Sequence, residues 1–405
     1  MTKKNVLIIT YWSFNEALIQ TYTLPYVKLI KKELPPESKI FLFTLEKGVS
    51  NEETTAEKKR LEDDNIHVLS SDYHQFGLKA AAILSLAMAR LWYLIVRENI
   101  SYIHCWCTPG GAIGYLLSSL SGKRLILDSY EPHAEAMIEC GIWSPGSFPF
   151  RALFLLERLQ TKKAKSIISA TSGMEEYMRL KYGQSKENFY VKPACVNFDS
   201  FNVSKAKNQE LLKKLNLIDK VVCVYAGKFG GIYLDQEIFD LMKVAADHWG
   251  ERFHFLLLTN ESSQNIDSYC AKSGFPKKQL TTDFVPHKQI PHYMGLADFA
   301  LTPVKPIPTK RYCTPIKNGE YWALGLPVIT TKNISDDSEI ILENNIGSTF
   351  EPNDFESYIN AISKIDTLLK NDRDASLKLR ITDTANKYRS FNIASRIYKE
   401  IYGEK

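Results

Sequence analysis

The feature that most constrains this 405-residue chain is the alternation of short apolar runs with segments of helical period. Runs rich in Val, Ile, Leu and Phe are typical of strands buried on both faces, as in parallel sheets covered by helices. The first half contains six such runs. We predict strands at 6–10, 40–45, 66–69, 102–105, 125–128 and 166–170, and helices after 15 and over 78–98, 111–120 and 150–163.

The run at 191–201, VKPACVNFDSF, interrupts this alternation with a proline and polar residues, which indicates a domain boundary. A second series follows it. We predict strands at 221–226, 253–258, 281–285, 299–302, 327–330 and 348–350, and helices over 235–249, 266–273 and 289–296. The fold class is therefore α/β, with two doubly wound Rossmann-like domains, and ligands are expected beyond the carboxyl ends of the strands.

Composition narrows the class of protein and its compartment. The net charge is +5 with dispersed basic residues, which argues against a nucleic-acid partner. Seven cysteines without regular spacing favour a reducing compartment, and the N-terminus lacks the features of a signal peptide. We expect a cytoplasmic protein with no apolar run long enough to span a bilayer, so any membrane contact would be peripheral. Two basic clusters are either contacts to anionic lipid or solvated helix faces: Lys28, Lys31 and Lys32, and Arg158, Lys162, Lys163 and Lys165.

The strongest local pattern is residues 314–330, TPIKNGEYWALGLPVIT. Lys317 and Glu320 are three residues apart, so a helix would place them on one face. A lysine neutralises phosphate, a carboxylate accepts two bonds from vicinal sugar hydroxyls, and amides at a helix start bind anions. The alternative interpretation is a surface salt bridge.

The same segment resembles the donor-site motif of family 4 retaining glycosyltransferases, especially the capsule, lipopolysaccharide and glycan-assembly branch. The glycine-containing turn 225–231, the run 297–303 and the linker 193–201 follow the family in the same order. Within the motif, the matching positions are Pro315, Lys317, Glu320, Tyr321, Ala323, Gly325, Pro327, Val328 and Ile329.

This resemblance implies a GT-B fold, with an acceptor-binding domain at 1–195 facing a nucleotide-sugar domain at 196–378 across a cleft. A closing helix within 379–405 would pack back on the first domain. The implied activity is transfer of a sugar, with retention, from a nucleotide-diphosphate sugar to a glycan or lipid-linked saccharide, without a metal or other cofactor. A peripheral contact with the cytoplasmic face of a membrane is a further expectation.

The resemblance also assigns donor contacts. Glu320 would bind the nucleotide ribose, while Thr314, Pro315, Ile316 and Lys317 would lie against the sugar and diphosphate. The family has another glutamate eight positions before Glu320, where this chain has Tyr312. That departure removes the usual contact to the donor sugar.

The turn after the strand 221–226 contains Gly227, Lys228, Gly230 and Gly231. Glycines allow the backbone to approach phosphate and Lys228 supplies charge, although a tight strand-to-helix connection has the same composition. Relatives often have a second basic residue where this chain has Tyr233. By resemblance, the base and ribose would lie near Thr259, Asn260 and Val285.

In the first half, His133 follows a buried strand, and the resemblance places such a histidine at the donor sugar. We predict a catalytic set of His133, Lys228 and Glu320. Glu135 would orient His133 or bind the acceptor. Further acceptor contacts are predicted at Trp12, Phe14, Glu16 and Trp106, for which core packing or helix-end charge is the alternative.

Three other functions share parts of this pattern. An epimerase of the same fold would need no acceptor, and a non-catalytic nucleotide-sugar binding subunit would tolerate Tyr312. A nicotinamide dehydrogenase is disfavoured because the first strand is followed by YWSFNE and not by G-x-G-x-x-G. The adjacent Asp336 and Asp337 lack the additional ligands that a divalent metal would require.

Overall fold

The computed structural model describes residues 3–48, 52–74, 77–372 and 375–403. The chain divides into two compact units. Unit 1 comprises Met1–Lys192 and Asn392–Lys405, and unit 2 comprises Pro193–Phe391. The first change of unit therefore falls three residues before the predicted boundary, and unit 2 extends beyond the predicted limit at 378.

Unit 1 contains a seven-stranded parallel sheet, sheet A, with the order β3-β2-β1-β4-β5-β6-β7. Its strands are β1 (Asn5–Ile9), β2 (Ile40–Glu46), β3 (Ile66–Asp72), β4 (Ile100–Trp106), β5 (Arg124–Tyr130), β6 (Ser166–Ser169) and β7 (Phe189–Val191). Its helices before the domain change are α1 (Leu24–Glu33), α2 (Glu52–Asp63), α3 (Leu78–Arg97), α4 (Cys107–Ser121), α5 (His133–Glu139), α6 (Phe148–Lys163) and α7 (Gly173–Tyr177).

Strand order determines which face of sheet A each helix covers. The chain moves from β1 to β2 to β3 in one direction, and then from β4 to β6 in the other. Because parallel crossovers are right-handed, α1 and α2 cover one face while α3, α4 and α6 cover the opposite face. Packing of α4 against both α3 and α6 agrees with this arrangement.

Unit 2 contains a six-stranded parallel sheet, sheet B, with the order β10-β9-β8-β11-β12-β13. The strands are β8 (Val221–Ala226), β9 (Phe253–Leu258), β10 (Leu280–Asp283), β11 (Phe299–Thr302), β12 (Val328–Thr331) and β13 (Gly347–Phe350). The helices are α8 (Gln209–Lys214), α9 (Gln236–Trp249), α10 (Ser263–Ser273), α11 (Ile290–Met294), α12 (Ile316–Ala323), α13 (Asp337–Glu343), α14 (Phe355–Asn371) and α15 (Ser376–Arg389).

The predicted strands are confirmed within a few residues, but two elements differ. The sequence analysis missed β7, a three-residue edge strand that ends just before the interruption at Pro193. The predicted closing helix is two helices, because the chain is extended at Ser390. The first, α15, belongs to unit 2, and the second, α16 (Phe391–Gly403), packs on unit 1.

Helix α16 is anchored to unit 1 by a buried polar cluster. The Tyr398 hydroxyl donates to Asp128 Oδ2 at 2.8 Å, and His104 Nδ1 lies 2.6 Å from the Tyr402 hydroxyl. Lys192 Nζ forms an ion pair with Asp128 Oδ1 at 3.1 Å. Although burial opposes ionisation, Lys192 and His104 lower the pKa of Asp128 to about 2. Asp128 therefore joins α16 to the last residue before the first change of unit.

Helix α3 contains the segment Lys79–Arg97, which by length and composition alone would be able to cross a membrane. Arg90 interrupts this segment, so the finding does not contradict the expectation that no uninterrupted apolar run is long enough to span a bilayer. One side of the helix is nevertheless part of unit 1, because Ala87, Leu91 and Ile95 are buried where α3 packs against β3 and β4. A spanning orientation would remove this packing.

The close pairing of β12 and β13 leads to a first prediction. A Cβ atom on Gly347 would lie 2.0 Å from the Val328 carbonyl oxygen, which is backbone and therefore hard to displace. Gly347→Ala should lower the free energy of unfolding by about 3 kcal/mol in urea denaturation. Gly403→Ala is the control, because a Cβ there has no atom within 4 Å. Equal stability of the two variants would contradict the packing.

Candidate functional site

The loops that carry the predicted donor residues meet at the carboxyl edge of sheet B. Gly230 and Gly231 have φ angles of +68° and +61°, which non-glycine residues rarely adopt. They turn the chain towards the loop after β11. There the Leu234 amide donates to the Pro303 carbonyl and the Lys305 amide donates to the Ile232 carbonyl, both at 2.9 Å.

Two buried tyrosines connect the glycine turn to α12. The Ala226 amide donates to the Tyr321 hydroxyl at 3.1 Å, so α12 is tied to the end of β8. The Tyr225 hydroxyl donates to the carbonyl of Lys228. Burial raises the pKa of both phenols, which keeps them protonated and able to make these bonds. Lys228, which is exposed, and Glu320 therefore belong to neighbouring segments.

The N-terminus of α12 has the features of an anion site. Pro315 precedes the helix, and no side chain in the described ranges caps its first amides. Lys317 Nζ lies 3.6 Å from Glu320 Oε2. Within the described part of the chain, that oxygen is buried and has no hydrogen-bond partner. The pair is therefore more than a surface salt bridge, since the Glu320 side chain is only 11% exposed.

A buried cluster that the sequence analysis missed holds the other side of α12. Asn318 Nδ2 donates to Asp337 Oδ2 at 2.6 Å, and the Arg389 guanidinium donates to Asp337 Oδ1. Arg389 also lies over the Trp322 ring, 5.0 Å from its centroid, and a Cβ on Gly319 would lie 3.1 Å from Arg389 Cδ. Asp337, excluded above as a metal ligand, therefore positions the helix.

The remaining predicted donor residues lie along the same edge of sheet B. The Thr259 amide donates to the Asp283 carbonyl at 2.9 Å, which joins the ends of β9 and β10. Asn260 is exposed and Val285 is buried. Thr314 and Ile316 are partly buried beside Pro315, and the Thr314 hydroxyl lies 3.4 Å from that of Ser335.

In unit 1, His133 begins α5 and its side chain is 27% exposed. The helix start is fixed by Glu157, a fully buried residue of α6 that the sequence analysis missed. Glu157 Oε1 accepts the Ala134 amide at 2.8 Å, and Oε2 accepts the Tyr182 hydroxyl at 2.9 Å. Burial raises the pKa of Glu157 to about 8.

The predicted pairing of Glu135 with His133 is wrong. Glu135 accepts the Tyr177 hydroxyl at 2.7 Å and forms an ion pair with Lys181 at 2.9 Å. The carboxylate near His133 is that of Glu131, whose Oε1 lies 3.9 Å from Nδ1. On a helix, His133 and Glu135 point in different directions because they are two residues apart.

Two of the predicted acceptor contacts are core residues. Trp106 is 1% exposed and stacks on His104 with ring centroids 4.8 Å apart, and Phe14 is fully buried. Neither presents a ring face to a sugar, so both assignments are corrected. Glu16 accepts a hydrogen bond from the Ser13 amide at 3.3 Å and forms an ion pair with Lys47 at 3.4 Å. These contacts agree with the alternative interpretation of Glu16 as a charge at the end of a helix. Trp12 is partly exposed.

A cavity of about 290 Å³ lies beside Trp12, at the carboxyl ends of β1, β2 and β3. Tyr11 and Tyr73 line it with their rings edge to face, 5.9 Å apart. Burial and Tyr73 raise the pKa of Tyr11 to about 12. The sequence signal was the aromatic loop after β1, which was assigned to the neighbouring Trp12 and Phe14.

In the described ranges, no three His, Cys, Asp or Glu residues form a group suited to a metal ion. Metal independence stays a prediction.

Part of the chain matches a known protein family. Residues 221–367, which include the glycine turn and α12, match the family described as Glycosyl transferases group 1. No curated protein sequence matches the chain. The matched family segment covers the donor residues from Gly227 to Glu320.

Solved structures match nearly the whole chain. Anabaena Alr3699/HepE in complex with UDP-glucose has a TM-score of 0.72 at 12% identity, covering 99% of this chain and 100% of that one. Sucrose-phosphate synthase from Thermosynechococcus elongatus has a TM-score of 0.70 at 14% identity, and the match covers 99% of this chain and 98% of that one. The lipopolysaccharide outer core galactosyltransferase WaaB, in its apo form, has a TM-score of 0.68 at 12% identity, and the match covers 99% of this chain and 100% of that one. The GT-B fold and the resemblance to its glycosyltransferases are therefore confirmed.

Glu157 leads to a prediction about pH. Its ordinary pKa is 4.5 and its folded value is about 8, so the folded state holds an extra proton between these values. The contribution of protonated Glu157 to the free energy of unfolding is complete below the pKa of Glu157 in the unfolded chain, and it is lost as the pH rises through about 8. Glu157→Gln should remove this loss, because the amide does not titrate. Between about pH 5 and about pH 9, the free energy of unfolding of the variant should increase by on the order of 3 kcal/mol relative to that of the parent protein.

Chemical denaturation at each pH measures this difference. Glu175→Gln, which changes an exposed carboxylate of α7, is the control and should follow the parent protein. Parallel pH profiles for Glu157→Gln and the parent would show that Glu157 titrates normally in the folded protein.

Proposed function

We propose that the protein is a glycosyltransferase that binds a nucleotide-diphosphate sugar at the carboxyl edge of sheet B and transfers the sugar, with retention, to a glycan or lipid-linked saccharide. The observation that carries this proposal is the buried Glu320 Oε2 in the second turn of α12, which lacks a hydrogen-bond partner in the described ranges, together with the uncapped N-terminus of the same helix. A buried carboxylate oxygen is costly unless a ligand satisfies it. Two ribose hydroxyls have the donors it requires.

The surrounding charges fit a diphosphate. Lys317 lies one helical turn before Glu320, and Lys228 lies on the glycine turn that Tyr321 ties to α12. Both ammonium groups and the uncapped α12 amides would stabilise the negative charge that develops as the sugar bond breaks. The leaving diphosphate oxygen would then accept the acceptor hydroxyl proton while that hydroxyl attacks from the same face.

The family match and the fold support the donor half of this proposal, whereas acceptor and stereochemistry rest on the resemblance of the motif. We assign His133 a contact to the transferred sugar, with Glu157 as its positioning residue through the start of α5. The aromatic cavity lined by Tyr11 and Tyr73 is our candidate for part of the acceptor site, because aromatic side chains that line a cavity are suited to pack against sugar rings.

One observation favours a second candidate. Tyr312 occupies the position of a family carboxylate, so the usual contact to the donor sugar is absent from the sequence at that position. A nucleotide-sugar binding subunit without transfer activity would retain Glu320 and Lys317 and tolerate this change.

The donor assignment predicts distinct effects of two substitutions. A thermal-shift screen of UDP-, GDP-, CMP- and dTDP-sugars first identifies the donor, since ligand that binds the native state raises its melting temperature. Glu320→Gln should then weaken nucleotide binding about tenfold or more by removing the charged acceptor. Lys317→Met should lower kcat by about 10²–10³-fold.

Lys364→Met, an exposed lysine of α14, is the matched control and should leave both constants unchanged. Full activity of Lys317→Met together with unchanged nucleotide affinity of Glu320→Gln would overturn the site.

Turnover distinguishes transfer from the alternatives. Incubation of the identified donor with an acceptor panel should give a product whose new linkage keeps the donor anomeric configuration, read by the proton coupling constant in NMR. Donor alone should release little sugar and remain unisomerised. Isomerised sugar without acceptor would indicate an epimerase, and tight donor binding without turnover would indicate a binding subunit.

A further inference from the structure

One face of unit 1 is apolar where a solvated helix layer is normally polar. Helices α3, α4 and α6 cover the same side of sheet A, and α3 illustrates the pattern best. Its buried residues Ala87, Leu91 and Ile95 pack on the sheet. Five large apolar side chains of the same helix are nevertheless exposed: Leu84, Leu86, Trp92, Tyr93 and Val96.

These exposed residues follow the helical period. Leu86, Tyr93 and Val96 are separated by seven and three residues, so they form a stripe pointing away from the sheet. A helix that is apolar on both its inner and its outer side is typical of burial in a protein or contact with lipid. The neighbouring helices extend the surface with Leu116, Leu120, Phe148 and Leu155, of which Leu120 and Phe148 are 71% and 83% exposed.

The charges of the same three helices have one sign. Helix α4 contains no charged residue, and α3 and α6 contain a single acidic residue, Glu157, which is fully buried and capped by amide and hydroxyl donors. All other charged side chains of these helices are basic: Lys79, Arg90 and Arg97 on α3, and Arg151, Arg158, Lys162 and Lys163 on α6. Of these, Arg97 pairs with Glu98, the residue after α3, at 3.0 Å. We call these exposed apolar and basic side chains of α3, α4 and α6 the apolar–basic face.

The opposite side of sheet A differs. Helices α1 and α2 present no large exposed apolar side chain among the described residues. Lys31 of α1 donates to the carbonyls of Pro36 and Ser38 at 2.7 and 2.9 Å, and Lys28 pairs with Glu57 at 3.6 Å. Lipid contact was one of two alternatives for both basic clusters. Only the second cluster lies next to exposed apolar residues, and it consists of Arg158, Lys162, Lys163 and Lys165.

We propose that the apolar–basic face docks unit 1 on an anionic lipid bilayer, with α3 lying in the interface and not crossing it. Apolar side chains flanked by Lys and Arg, with Trp and Tyr between them, match the acyl boundary and the anionic head groups of such a surface. If Lys79–Arg97 crossed the membrane, Leu91 and Ile95 would lose their packing against sheet A.

The face is continuous with the aromatic cavity of unit 1. Leu84 is 41% exposed on α3 and also lines the cavity, together with Ala80 and Ala81 of the same helix. Docking of α3 would therefore bring the mouth of the cavity next to the lipid head groups. An acceptor attached to a lipid would reach the cavity without leaving the membrane, although docking itself does not depend on the transferase activity.

Co-sedimentation with vesicles tests the proposal without any sugar nucleotide. The full chain should bind vesicles of phosphatidylcholine mixed with phosphatidylglycerol, and should bind phosphatidylcholine alone far more weakly. The double variant Arg90→Glu and Arg158→Glu should bind the mixed vesicles at least about 25-fold more weakly, since each basic residue near an anionic surface contributes about fivefold.

The matched control is Lys32→Glu with Lys59→Glu, an equal charge change on the opposite side of sheet A, where both side chains are exposed. It should retain most of the parent affinity. A second pair, Leu86→Ser and Tyr93→Ser, removes exposed apolar area, and its control is Leu342→Ser with Leu379→Ser in unit 2. Thermal melting confirms that all four variants are folded.

Three outcomes would overturn the proposal. The first is that the parent protein does not bind the mixed vesicles. The second is that the two double charge variants bind these vesicles equally weakly. The third is that the protein does not bind vesicles and the double variant Leu86→Ser and Tyr93→Ser converts an oligomer to a monomer in sedimentation. The last result would assign the face to a second copy of the chain. Loss of transferase activity in the Lys317 variant has no bearing on any of them.

Discussion

The proposed chemistry depends on the fixed position of α12. Its Tyr321 hydroxyl accepts the Ala226 amide at the end of β8, and its Asn318 side chain donates to Asp337 on the other side. Arg389 pairs with Asp337 where both are about 1% exposed, so removing either partner would leave a buried charge, at a cost of roughly 3–5 kcal/mol. This double attachment fixes the position of the helix that contains Lys317 and Glu320.

Unit 1 has a similar arrangement, in which the buried carboxyl group of an acidic side chain fixes the position of a helix. Glu157 accepts the Ala134 amide and so sets the start of α5, where His133 lies. Asp128 accepts the Tyr398 hydroxyl and pairs with Lys192, so it anchors α16 and the chain next to the change of unit. Burial raises the pKa of Glu157, whereas Lys192 and His104 lower the pKa of Asp128 although burial opposes this, because only Asp128 has a cationic partner.

The sequence predicted the two sheets and the donor segments because both are local patterns. Apolar runs such as 221–226 and 253–258 coincide with β8 and β9, and the Lys317–Glu320 spacing gives the observed pair on α12. It failed where a role depends on contacts distant in the chain. Trp106 and Phe14 were predicted to bind the acceptor, with core packing as the alternative, and they are core residues. No role was predicted for Glu157 or Arg389, because their partners lie 23 and 52 residues away in the chain.

Hydrogen exchange of the backbone amides tests the account most directly, because it locates bound nucleotide without reference to turnover. With the nucleoside diphosphate that most raises the melting temperature, slower exchange should appear in two segments together, 227–231 and 316–321, and nowhere else to the same extent. The positions correspond to the glycine turn and the N-terminus of α12. Protection of only one segment, or of a different edge of sheet B, would contradict a shared diphosphate site.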